Sequence, residues 1–80
     1  KLWRRFNMND VAVYVNASKT GVVKDYITVF SFTDEAAKAV DTVIIRENLR
    51  IYGPKSGNKP GSLKYQVYCT KEKFNSWLVE

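Results

Sequence analysis

Four stretches of this chain alternate with a period of two. In each, one parity is aliphatic and the other aromatic, basic or polar. They are Val11–Asn16 (VAVYVN), Val22–Phe32 (VVKDYITVFSF), Leu49–Tyr52 (LRIY) and Leu63–Thr70 (LKYQVYCT). Successive side chains of a strand point to opposite faces, so such a pattern describes a sheet with two chemically different sides. One parity collects Val11, Val13, Val15, Ile27, Val29, Leu49, Ile51, Leu63, Val67 and Cys69, with Tyr65 its single aromatic member. The other collects Tyr14, Tyr26, Thr28, Phe30, Phe32, Arg50, Tyr52, Lys64, Gln66 and Tyr68. This sorting assumes that every strand keeps register, because one bulge exchanges the faces beyond it.

Two helical segments separate and follow these strands. Thr33 reads as an N-cap, with Asp34 and Glu35 well placed in the first turn. Ala36, Val40, Val43 and Ile44 then form an apolar stripe to about Glu47, and Asn48 is suited to a left-handed stop. Thr70 caps a second helix, Lys71–Val79, with Phe74, Trp77 and Leu78 on one side. The fold class expected is α+β. A single domain spans 1–80, with about four antiparallel strands in a ββαββα order and both helices on the aliphatic face. Lys1–Asn9 (KLWRRFNMN) reads as an arm or an edge strand. Ala17–Gly21 is a turn between the first two strands, and Gly53–Ser62 (GPKSGNKPGS) is a Lys-bearing hairpin loop.

Composition narrows the function. The 80 residues contain one cysteine and no histidine, so an internal disulfide and histidine-based catalysis are excluded. A lone cysteine does not build a zinc site, and small secreted domains usually carry several disulfides. A reducing, intracellular setting is the expectation, with no cofactor and no enzymatic activity. The apolar runs are too short to span a membrane. Lys1 in place of Met is expected of a processed or excised chain.

Thirteen Lys and Arg stand against eight Asp and Glu, a net charge of +5. The charge is segregated. Residues 48–71 carry Arg50, Lys55, Lys59, Lys64 and Lys71 without an acid, whereas residues 25–47 are acidic overall. A face with this positive field and interleaved rings suits a polyanion. Single-stranded nucleic-acid readers stack bases on aromatic residues and hold phosphates with cations. Arg50, Lys55, Lys59 and Lys64 are therefore the expected phosphate contacts, and Tyr14, Tyr26, Tyr52 and Tyr68 the expected stacking groups.

The partner expected is DNA or RNA, single-stranded first, with homodimerisation or a larger complex left open. Aromatic residues also stabilise sheets without any ligand. The alternative reading is thus a protein-interaction or dimerisation module that uses the same face. Phe30 and Phe32 are expected to be buried rather than exposed, beneath Trp3 and Phe6 or at a dimer interface.

IREN at Ile45–Asn48, KPG at Lys59–Gly61 and KEKFNSWL at Lys71–Leu78 are similar to the tail of the positive-cofactor type of single-stranded-DNA-binding coactivators. The resemblance implies a strand beginning near Ile45 and the same ligand class. The spacing departs by several residues, and the basic residues that follow KPG in that family are largely missing. The chain is not assigned to the family on this resemblance.

Overall fold

A computed structural model of the chain describes residues 6–18 and 21–79, without the side chains of residues 17, 18 and 21–25. Residues 1–5 of the expected arm, and Lys19 and Thr20 of the expected turn, lie outside the described residues. In the described part of the expected arm Met8–Asp10 forms a short 3-10 turn, which leads into β1 (Val11–Ser18). The chain continues through β2 (Gly21–Ser31), α1 (Asp34–Arg46), β3 (Ile51–Ser56), β4 (Leu63–Val67) and α2 (Lys71–Leu78). The ββαββα order and the α+β class are as expected. All strand pairs are antiparallel, in the spatial order β1-β2-β4-β3, so β1 and β3 are the edges.

Local chemistry sets the helix limits. The Thr33 side chain accepts the Ala36 N–H at 3.1 Å, and Asp34 and Glu35 occupy the first turn. Asn48 takes φ 53° after the last turn. The Asn48 N–H then reaches the Ile45 carbonyl at 3.2 Å and the Leu49 N–H the Ile44 carbonyl at 2.9 Å. This pair of reversed bonds is the Schellman arrangement, which satisfies carbonyls that a helix end would leave bare. It also corrects the expectation attached to IREN: Ile45 and Arg46 close α1, and no strand begins there. In α2 the Thr70 side chain accepts the Lys73 N–H at 3.2 Å.

The core forms on the aliphatic face. Ile27 and Val29 of β2 and Tyr65 and Val67 of β4 are buried together with Val40, Val43 and Ile44 of α1 and Phe74 and Leu78 of α2. Val11, Val13, Leu49, Ile51, Leu63 and Trp77 pack around them, half-buried. Each large side chain buried there contributes about 1.5–3 kcal/mol. Val15 departs from the expectation: it is 59% exposed, on edge strand β1 where neither helix covers it. The Tyr65 hydroxyl finds a partner by donating to the Asp41 carboxylate at 3.1 Å. Burial, then the neighbouring Asp41 charge and that hydrogen bond, push the Tyr65 pKa up to about 12. Among the described residues, no helix is long and apolar enough to cross a membrane.

The stretch expected to be a loop from Gly53 to Ser62 is shorter than that. Gly53–Ser56 belongs to β3, and the connection is residues 57–62. The strand absorbs the Gly-Pro pair in a bulge: Tyr52 faces Gln66 and Lys55 faces Lys64, so Gly53 and Pro54 together oppose Tyr65. Gly53 sits at φ 111°, where a side chain is strained, and an added Cβ would approach the Lys64 carbonyl to 3.1 Å. Pro54 is accommodated because a bulge leaves a residue outside the ladder.

Candidate nucleic-acid interface

The strand registers arrange the uncovered face in rows that cross all four strands. In the central row Tyr14 faces Thr28, Thr28 faces Gln66, and Gln66 faces Tyr52. At about 4.8 Å between strands, the two edge tyrosines are roughly 14 Å apart. The row on one side is Ala12, Phe30, Lys64 and Lys55. On the other side Tyr26 and Tyr68 meet with ring centroids 4.9 Å apart, and the Arg50 guanidinium lies 5.2 Å from the Tyr68 ring centroid. Tyr68 follows the last residue of β4, yet its N–H donates to the Arg50 carbonyl at 2.9 Å and continues the ladder.

The four expected stacking residues therefore share one face. Tyr14, Tyr52 and Tyr68 are exposed at 57%, 58% and 46%, and Tyr26 is half-buried against Tyr68. Phe30 and Phe32 are half-buried on the same side of the sheet. Their rings stack at 6.2 Å, and Phe30 makes an edge contact with Tyr14 at 5.9 Å. Phe6 packs against the core cluster. Trp3 lies outside the described residues.

The four expected cations reach this face by different routes. Arg50 lies over Tyr68, and Lys64 stands in register beside Phe30. Lys55 arrives through the Gly53–Pro54 bulge. Without the extra residue it would share the parity of Ile51 and turn toward the core; with it, Lys55 is opposite Lys64 and its Nζ is 4.7 Å from the Tyr52 ring centroid. Lys59 belongs to the connecting loop, whose shape is fixed by Ser62. The Ser62 hydroxyl donates to the Lys59 carbonyl at 2.6 Å and accepts the Lys59 N–H at 3.2 Å. A side chain at Gly57 would collide with that hydroxyl. Lys59 is held so that its Nζ lies 5.4 Å from the Phe32 ring centroid. The loop is thus a tied turn that places one lysine, in contrast to the flexible wing its composition suggests.

Among the described residues no carboxylate forms an ion pair with these groups. Among the described residues the one ion pair joins Arg46 to Glu47, at the end of α1. Lys55 and Lys64 face each other directly across the β3–β4 pair. Like charges in that relation destabilise a sheet. The cation–ring contact of Lys55, worth about 0.5–1 kcal/mol at an exposed site, is of the same order as that cost. The arrangement offers flat rings for stacking, with positive charge above and between them and Gln66 at the centre, beside a buried Thr28 whose hydroxyl donates to Asn16 Oδ1 at 3.0 Å. Set against models of known protein families, curated proteins and solved structures, the chain matches none of them.

Proposed function

We propose that this protein is a non-catalytic nucleic-acid-binding domain that holds single-stranded DNA or RNA on the uncovered face of its sheet. The observation that carries the reading is the set of four cations placed beside the rings of this face with no acidic partner among the described residues, Lys55 opposing Lys64 above all. A phosphate between those two lysines turns a repulsion into two attractions. Tyr14, Tyr52 and Tyr68 offer faces on which bases stack at about 1–3 kcal/mol each, with Tyr26 supporting Tyr68 from behind. Arg50, Lys55, Lys59 and Lys64 take the phosphates.

The reading is tested by titrating the protein's tyrosine and tryptophan fluorescence with a mixed-sequence single-stranded oligonucleotide at two salt concentrations. Saturable quenching at low salt that weakens steeply at high salt is expected, because phosphate contacts release counterions. Absence of any change at low salt overturns the reading. Binding that hardly responds to salt points instead to a protein partner for the aromatic face. Substituting Lys55→Glu and Lys59→Glu together weakens oligonucleotide binding if both lysines hold phosphate, and unchanged affinity removes them from the site.

A further inference from the structure

The uncovered face does not end at Tyr68. Past β4 the chain turns through Cys69 and Thr70 into α2, and the turn leaves a cleft of about 270 Å³ lined by Leu49, Tyr68, Cys69, Thr70, Lys73 and Trp77. Tyr68 borders both spaces: it meets Tyr26 and Arg50 on the sheet and walls the cleft on the other side. Trp77, half-buried against the core, supplies a second aromatic residue, and Leu49 and the buried Cys69 give apolar lining. The Thr70 side chain is engaged with the Lys73 N–H. Lys73 is the one cationic residue of the lining, and it is exposed. Two aromatic residues, apolar lining and one ammonium suit a flat ring system that carries a negative tether.

Resting on the reading of the sheet face as a single-strand platform, we infer that this cleft receives one nucleobase of the strand as it leaves the face past Tyr68 and Arg50, with Lys73 holding the adjoining phosphate. The occupant is argued from continuity through Tyr68 and from charge: Arg50 lies over the Tyr68 ring and Lys73 lines the cleft that Tyr68 walls, so a strand that follows Tyr68 meets a cation on the face and another in the cleft. The cleft then adds a binding position at the end of the track and fixes where along the strand the protein stops.

The two sites can be read separately. With Trp3→Phe, Trp77 is the one tryptophan left in the chain, and its emission reports the cleft, while anisotropy of a fluorescein-labelled single strand reports total binding. The expected result is quenching of Trp77 with the same midpoint as the anisotropy change. In the same background, Lys73→Glu is expected to lower affinity about threefold or more and to reduce the salt slope by about one. That variant places Glu three residues after the Thr70 cap, a capping-box pairing that supports the helix, so lost affinity is not lost folding. Anisotropy binding with unchanged Trp77 emission, or with unchanged affinity in Lys73→Glu, overturns the cleft and leaves the sheet face standing. No anisotropy change at any oligonucleotide concentration overturns both.

Discussion

The two faces of this sheet are built from alternate residues of the same strands, and they are finished differently. On the inner face Ile27, Val29, Tyr65 and Val67 lie under two helices, and the one phenol there donates to a carboxylate on α1. On the outer face Tyr14, Tyr52 and Tyr68 stay exposed, and cations lie over rings without an ion-pair partner among the described residues. Apart from the Ser31 hydroxyl, the buried side-chain polar groups described on the inner face have partners. The outer face carries a like-charge pair, Lys55 opposite Lys64, with no ion-pair partner among the described residues. A sheet stabilised for its own sake would place an acid at one of those positions. On the proposed reading, an anionic partner rich in flat rings completes the outer face.

Substitutions should separate the two faces cleanly. The largest effect is expected at Phe74, fully buried between the helices and the sheet. Phe74→Ala should cost about 3–5 kcal/mol, a large share of the roughly 5–15 kcal/mol that holds a domain together. Urea or thermal denaturation would show it.

Next comes alkaline pH. The fold favours protonated Tyr65, so its contribution is complete below pH 10 and is lost as pH rises through about 12. Stability should fall over that window by up to roughly 2–3 kcal/mol from this group. Tyr65→Phe should start less stable at neutral pH and lose less between pH 10 and 12; equal losses in both proteins would break the assignment.

On the outer face the pattern inverts. Tyr52→Ala should leave stability within about 0.5 kcal/mol while weakening single-strand binding by about 1–3 kcal/mol. The smallest effect is expected from Thr33→Ala, which removes the α1 cap at a cost of about 1 kcal/mol. Binding by the folded protein should not change.

Much of this was legible because the period-2 pattern is a direct consequence of strand geometry. The sorting of Val29 inward and of Tyr14 and Tyr68 outward followed from parity alone. The caps at Thr33 and Thr70 and the stop at Asn48 followed from side-chain chemistry. What was not legible depended on contacts distant in sequence. Gly53, Pro54 and Ser56 have loop composition, so nothing local shows that β4 draws them into a bulged strand. The position of Lys55 beside Tyr52 was hidden for the same reason: the bulge changes its face. Val15 has the parity of a core residue, but parity does not say where the helices stop covering an edge strand. The tie between Ser62 and Lys59 is likewise a contact that loop composition does not reveal. The Tyr65–Asp41 bond was missed because Asp41 reads as one more solvated helix charge; a phenol alone among aliphatic neighbours was the available signal, since a buried hydroxyl requires a partner.

The most direct test is chemical-shift mapping of the isotope-labelled protein with a mixed-sequence single strand at low salt. The account predicts that the amide shifts concentrate at Tyr14, Thr28, Tyr52, Lys64, Gln66 and Tyr68, while Lys38, Thr42 and Ile45 on the exposed side of α1 stay still. Shifts gathered on the helices, or none anywhere, would contradict it.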